Sequence, residues 1–167
     1  VVFRNQIQTC EILDLFDKGK KDGVQVDMNV IAGNGLVGIV SEVGESYAKV
    51  RAIIDDKSNV SAMFQDTGET CIVKGNMESI YKGYIDIEMI SNTAKIKDGD
   101  EVVTSHVSDK FLQGLSVGYV KDIVSDPSSQ TKTAHLIPSV NFDQLENVLV
   151  ITQLKDNSEI KDIKNYD

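Results

Sequence analysis

The feature that most constrains this chain is a series of short apolar runs, rich in β-branched residues and separated by turn residues. Valine and isoleucine together number 37, whereas leucine and alanine together number 15. Branched Cβ atoms suit the pleated surface of a sheet and are stiff in helices. Ile85, Ile87 and Met89 alternate with Asp86 and Glu88, as in a half-buried strand. The sequence therefore predicts an all-β fold.

Turn signals divide the chain into ten predicted strands and leave room for one helical turn at residues 143–147. The tail at residues 154–167 has little apolar content and is predicted to be flexible. The predicted strands are residues 24–32, 37–43, 47–54, 60–64, 70–74, 84–90, 101–105, 115–124, 131–137 and 148–152.

Composition and charge exclude several classes of protein. The 167 residues, 41% of them hydrophobic, suffice for one ordinary domain or two very small ones. The net charge of −9 and the lack of a basic patch argue against nucleic-acid binding. No apolar stretch approaches the roughly 20 residues of a membrane-spanning helix. The chain begins at Val1 without a signal peptide, which we interpret as a trimmed start.

The sequence predicts no metal site and no cofactor. Two cysteines and two histidines, Cys10, Cys71, His106 and His135, lack the spacing of zinc ligands. A disulfide is compatible with an oxidising compartment, but two unpaired small core residues are the preferred interpretation.

An internal repeat links the two halves of the chain. Residues 35–43 resemble residues 114–123, with one extra residue in the second copy. Two copies of one strand motif predict two similar small barrels or sandwiches. The alternative is chance convergence of a Gly-Leu turn signal.

One pattern resembles a serine hydrolase motif. Gly114, Ser116 and Gly118 fit G-x-S-x-G, whose serine must lie between a strand and a helix. The residues after Gly118 read as a strand. His106 with Asp109 gives the order of a triad, but within eleven residues of Ser116, and a double-barrel protease draws its groups from both barrels. We therefore predict no catalytic residue.

Several motifs, in order along the chain, resemble the MreC family of rod shape-determining proteins. Residues 16–24 resemble its N-K-G-x-x-D-G-V segment, residues 35–40 its G-L-V-G-x-V signature and residues 102–105 its V-V-T-S strand. Residues 111–120 resemble its F-P-x-G-L-x-V-G-x-V motif, although Leu112 replaces the usual Pro and His106 a common Gly. The motif residues are Gly19, Gly23, Gly35, Leu36, Val37, Gly38, Phe111, Gly114, Leu115, Gly118, Pro138, Phe142 and Leu145.

The resemblance implies two small β-barrels in a double-barrel arrangement. Residues 1–34 with 96–153 would form a discontinuous barrel, and residues 35–95 an inserted one. It further implies that the full-length protein carries a membrane anchor and a coiled-coil helix upstream, which would place this part on the extracytoplasmic side of the bacterial membrane.

The resemblance also implies a non-enzymatic scaffold of the cell-wall elongation complex. Such a scaffold self-associates and links MreB and MreD to RodA and a class B penicillin-binding protein. Exposed aromatic residues commonly anchor protein partners, which makes Tyr81, Tyr84 and Phe111 candidate contacts; ordinary packing within the barrels explains these aromatics equally well. The alternative function is an extracytoplasmic double-barrel serine hydrolase.

Overall fold

The computed structural model describes residues 2–4, 12–16 and 18–156, the first two segments by their backbone alone. In this part of the chain lie twelve strands, one helical turn α1 (Met77–Ile80) and 3-10 turns at Lys20–Asp22 and Phe142–Gln144. The all-β prediction is confirmed. The strands are β1 (Val2–Arg4), β2 (Ile12–Phe16), β3 (Asn29–Ala32), β4 (Gly35–Val43), β5 (Tyr47–Ala52), β6 (Asn59–Phe64), β7 (Thr70–Lys74), β8 (Ile85–Ser91), β9 (Glu101–Thr104), β10 (Ser116–Ser125), β11 (Thr131–Pro138) and β12 (Asn147–Ile151).

Six strands close into a ring, which we call the second barrel because the other barrel contains the N-terminal strands. The order is β6, β7, β8, β11, β10 and β9, each antiparallel to its neighbour, and β9 pairs with both β10 and β6. Closure removes unpaired strand edges. Phe64, Ile85, Ile87 and Leu136 fill the interior and are at most 1% exposed.

The other six strands form the first barrel, in the order β1, β12, β3, β4, β5 and β2. β1 and β2 lie next to each other and bring the two ends of this order together. Its core contains Val30, Val37, Val50 and Val148, all buried.

The strand pairing divides the chain differently from the predicted boundaries. The prediction placed residues 35–95 in one inserted unit, but β4 and β5 pair with β3 and β2 in the first barrel. β9, β10 and β11 pair within the second barrel, so the inserted segment runs from β6 to β11. The predicted boundaries were mapped from the family's topology, whereas the strand pairing of this chain decides which barrel each repeat copy joins. Each copy is the central strand of its own barrel's three-stranded meander.

The repeat itself is visible in the backbone hydrogen bonds. The Val40 N–H donates to the Met28 carbonyl at 2.9 Å, and the Val120 N–H donates to the Asp100 carbonyl at 2.9 Å. In both cases the residue before the acceptor donates back to the valine carbonyl. β4 and β10 are therefore equivalent strands, as the repeat predicted.

Strand β4 separates two hydrophobic cores. Its Leu36 belongs to the core of the second barrel and its Val37 to the core of the first, because successive side chains of a strand point to opposite faces. Gly35 also pairs in parallel with Ser116 of β10. Phe142 packs against both cores. The two barrels thus share a wall.

Local predictions failed where the backbone leaves the extended region. The strand predicted over residues 24–32 begins only at Asn29, since Asp27 has a φ of 72°. The helical turn predicted at residues 143–147 is a 3-10 turn that begins at Phe142. Of the predicted flexible tail, residues 154–156 have no regular secondary structure, and residues 157–167 lie outside the described part.

Candidate partner-binding surface

Ser116 does not sit in a catalytic arrangement. Its Oγ lies 2.7 Å from Ser139 Oγ. His135 pairs on the ladder with Lys121, five residues further along β10, which is about 16 Å at the usual strand rise. The helix that a nucleophile elbow requires is replaced by β10 itself. Within the described residues, no group of His, Cys, Asp or Glu is arranged to hold a metal ion.

The surface that the structure offers instead is the outer side of β8, β11 and β10 in the second barrel. Alternation along these strands turns Ile85, Ile87, Ala134, Leu136 and Val120 inward. The intervening side chains point outward and form what we call the outer face. It consists of Tyr84, Asp86, Glu88, Tyr119, Lys121, Thr133, His135 and Ile137.

One end of the outer face is apolar. Tyr119 and Ile137 are direct partners on the β10–β11 ladder and are 44% and 43% exposed. Beside Ile137 lies a hollow of about 300 Å³, the junction groove, whose lining includes Ile80, Pro138 and Phe142. Because Phe142 packs against both cores, this groove lies where the two barrels meet. Exposed apolar side chains beside a concave site are typical of a binding surface.

The other end of the outer face is acidic. A second hollow, of about 240 Å³, is lined by Asp86, Glu88, Asp122 and His135, and we call it the acidic hollow. Asp122 has a φ of 52° at a bulge in the β10–β11 ladder. This conformation, which Asp tolerates better than most residues, brings its Oδ2 to 3.4 Å from His135 Nδ1.

Tyr84 connects the two ends. Its ring stacks on the His135 ring with centroids 3.9 Å apart and an interplanar angle of 17°. Asp86 is held by Asn76, whose Nδ2 donates to Asp86 Oδ2 at 2.9 Å. Stacking and hydrogen bonding therefore fix the middle of the outer face.

The predicted partner contacts have different outcomes. Tyr84 lies on the outer face, and Tyr81, which is 83% exposed, follows Ile80 of the junction groove. Phe111 is only 6% exposed and belongs to the core of the second barrel, so its prediction as an exposed anchor is wrong. The loop at residues 105–114 folds back on itself, and the Phe111 N–H donates to Ser108 Oγ at 3.0 Å.

Sequence reasoning missed Tyr119 and Ile137. Both lie in strands that the sequence predicted correctly. Tyr119 precedes the inward-facing Val120, and Ile137 follows the inward-facing Leu136. Applying the alternation to these two strands would have found an exposed apolar pair.

Sequence reasoning also missed Asn29, which joins the two barrels. Its Nδ2 donates to the Lys110 carbonyl at 3.0 Å, and its Oδ1 accepts from the Leu112 N–H at 2.8 Å. The side chain is 1% exposed, and its partners lie more than eighty positions away in the loop at residues 105–114. Nothing in the sequence around Asn29 indicates such a distant contact.

The family-motif residues occupy structural positions. Gly23 and Gly114 have φ values of 86°, which favour glycine. At Gly19, Gly35, Gly38 and Gly118, atoms of neighbouring residues fill the space of a Cβ. The apolar motif residues pack in or against the cores, and Pro138 ends β11; the apolar residues are Leu36, Val37, Phe111, Leu115, Phe142 and Leu145.

Residues 2–152 match the family model described as "Rod shape-determining protein MreC, barrel core". The chain belongs to the MreC family. It is 30% identical over 159 residues to the cell shape-determining protein MreC of Listeria monocytogenes, covering 90% of this chain and 51% of that protein. The chain thus spans about half the length of this relative. A solved MreC structure from Listeria monocytogenes has a TM-score of 0.79 at 27% identity, covering 93% of this chain and 74% of that one.

Two further structures share the fold at lower identity. One is the complex between penicillin-binding protein PBP2 and MreC from Helicobacter pylori, with a TM-score of 0.64 at 16% identity, covering 90% of this chain and 98% of that one. The other is described as the major periplasmic domain from the cell shape-determining filament MreC, with a TM-score of 0.72 at 20% identity, covering 89% of this chain and 92% of that one. For this MreC-family chain, none of the helices in the described residues has the length and hydropathy of a membrane span.

Proposed function

We propose that this chain is the extracytoplasmic part of a non-enzymatic scaffold that controls cell shape by organising peptidoglycan synthesis. The observation that carries the proposal is the match of residues 2–152 to the barrel core of a shape-determining family. The geometry at Ser116 supports the non-enzymatic role, because its hydroxyl partner is Ser139 and not a histidine.

The proposed partners are a class B penicillin-binding protein, RodA, MreD, MreB and a second copy of the protein. A related MreC forms a complex with a penicillin-binding protein, and another is described as a filament. We propose that the full-length protein has a single membrane anchor and faces the periplasm or the outer surface. The junction groove and the outer face together form a surface of the kind that proteins bind.

The test is co-purification of the native full-length protein from its own membranes after mild crosslinking, with quantitative mass spectrometry. An unrelated single-pass membrane protein with the same tag serves as control. We expect enrichment of the class B penicillin-binding protein and of the membrane partners, and loss of rod shape when the protein is depleted. Cells that keep their shape and a purification without wall-synthesis proteins would refute the proposal.

A further inference from the structure

The junction groove and the acidic hollow lie on the same side of the same strands. Ile137 reaches the groove and His135 the hollow, and they are two residues apart on β11. Two residues of a strand span about 7 Å. Two chemically different hollows are therefore within reach of neighbouring side chains of one bound segment.

The groove suits an apolar side chain. Its volume of about 300 Å³ matches a single aliphatic or aromatic anchor, for which Ile80, Ile137, Pro138 and Phe142 provide an apolar wall. The rest of the lining includes the polar residues Ser139, Asn141 and Asp143. Tyr119 extends the apolar surface next to Ile137. Burying such an anchor in a well-packed pocket commonly supplies most of the energy of an interface.

The hollow suits a cation. Three carboxylates line it, Asp86, Glu88 and Asp122, and His135 Nδ1 contacts one of them. Lys121, opposite His135, and Lys74, opposite Asp86, offset part of this charge, but the chain as a whole carries −9. A lysine or arginine side chain would complement the remaining charge, and an acidic one would be repelled.

We infer that the outer face receives a segment of the wall-synthesis partner that carries an apolar anchor and, about 7 Å from it, a lysine or arginine. This inference rests on the proposed function and specifies the surface and the chemistry of its occupant. The anchor enters the junction groove, and the basic side chain enters the acidic hollow.

The test is a binding titration between this chain and the extracytoplasmic part of the class B penicillin-binding protein of the same organism, at two salt concentrations. Ile137→Ser and, separately, Tyr119→Ser should each weaken binding about tenfold. The double substitution Asp122→Asn with Glu88→Gln should weaken it several-fold and reduce its salt dependence. Asparagine is chosen at position 122 because it accepts the positive φ.

Matched controls lie on the first barrel. Val26 is 48% exposed, close to the 43% of Ile137, so Val26→Ser tests the removal of an exposed apolar side chain elsewhere. The Glu42 and Asp122 side chains are both 54% exposed, so Glu42→Gln tests the removal of a comparable charge. Both controls should bind like the unaltered chain, and thermal unfolding should show that all variants are folded.

The outcomes separate the two proposals. If the unaltered chain does not bind the penicillin-binding protein, that proposed partnership fails, and this inference fails with it. If it binds but Ile137→Ser, Tyr119→Ser and the double neutralisation leave the affinity unchanged, the inference alone is overturned. If Ile137→Ser instead abolishes self-association in sedimentation velocity, the occupant is a second copy, which also overturns the inference.

Discussion

Gly38 of β4 and Gly118 of β10 lie at equivalent places in the two barrels, and at each of them the carbonyl oxygen of the next strand fills the space of a Cβ. A Cβ on Gly38 would lie 2.0 Å from the Arg51 oxygen, and one on Gly118 would lie 2.2 Å from the Ile137 oxygen. Real Cβ atoms do not approach backbone so closely, so a larger residue would force the strands apart. Both glycines permit close strand contact in the middle of a meander.

We therefore expect Gly38→Ala and Gly118→Ala each to lower the free energy of unfolding by about 3 kcal/mol, through overpacking against backbone. Gly68→Ala is the control, because its Cβ would meet open space and only the φ of 72° is unfavourable. That strain costs about 1 kcal/mol. Urea unfolding measures all three. Equal, small losses would show that the strands can separate without cost.

The second prediction concerns Asn29. Replacing it with alanine leaves the Leu112 N–H and the Lys110 carbonyl without their partner, at a cost of about 2–3 kcal/mol. Hydrogen exchange of the Leu112 amide should become faster. Asn141→Ala, which removes an exposed cap of a 3-10 turn, should cost no more than about 1 kcal/mol and leave Leu112 protected. An unchanged Leu112 amide in Asn29→Ala would contradict this role.

The third prediction concerns the thiol of Cys71. Burial raises the pKa of Cys71 from 9.0 to about 12. The thiolate is the reactive form, so its population at pH 8 is about a thousandfold lower in the folded than in the unfolded chain. In a Cys10→Ser background, alkylation should be slow without denaturant and fast in urea, as followed by mass spectrometry. Fast alkylation of the folded chain would contradict the burial.

The raised pKa of Cys71 also makes the stability of the fold depend on pH. The unfolded thiol ionises near pH 9 and the folded one near pH 12, so the contribution of Cys71 is complete below pH 9 and is lost as pH rises toward 12. The stability difference between the unaltered chain and Cys71→Ala should therefore shrink between pH 8 and pH 10.5. A constant difference would mean that Cys71 ionises equally in both states.

Cys10 lies outside the described residues, and Cys71 is buried. That the two are not bonded to each other stays a prediction. Mass spectrometry without reductant decides it, because a Cys10–Cys71 peptide pair two hydrogens lighter would refute it.

The fourth prediction is that Ser116 does not react with a fluorophosphonate probe. Its Oγ contacts Ser139 Oγ, and His135 is registered five residues away along β10, too far to remove the proton of Ser116. A serine hydrolase of known activity provides the positive control. Stoichiometric labelling that disappears in Ser116→Ala would revive the hydrolase alternative.

The fifth prediction concerns assembly. This chain should be monomeric or weakly dimeric at micromolar concentration, since the second barrel is closed and its strands have no free edge to pair with a second copy. A version extended upstream, where the family resemblance implies a coiled-coil helix, should dimerise more tightly, because an apolar seam adds a large interface. Sedimentation velocity of both versions compares them. Equal dimer affinities would assign assembly to the barrels.

How much the sequence predicts depends on the range of the interaction. The alternation in β8 and the β-branched runs predicted the strands, because burial of one face is a local pattern. Which strands belong to which barrel was not predictable from local patterns. Gly35, for example, pairs with both Ala32 and Ser116, and either neighbour could define its barrel. Asn29 shows the same limit, because its partners come from a distant loop.

The outer face lies between these cases. Tyr84 was predictable as a candidate contact, but it is half-buried, and its stacking on His135 depends on the register of β8 against β11. Phe111 was misjudged because an aromatic in a polar loop reads as exposed until the loop is seen to fold inward. The residues around Tyr84 and Phe111 in the sequence do not show which of the two side chains is buried.

Because the two barrels share strand β4, their sequences cannot evolve independently. Leu36 and Val37 are neighbours in the chain, yet a substitution at the first must be accommodated by one core and a substitution at the second by the other. A chimaera that takes one barrel from a relative would combine strand β4 of one protein with a barrel core that evolved against the β4 of another. Recombination within the family should therefore preserve the pair, with both barrels and strand β4 exchanged as one block.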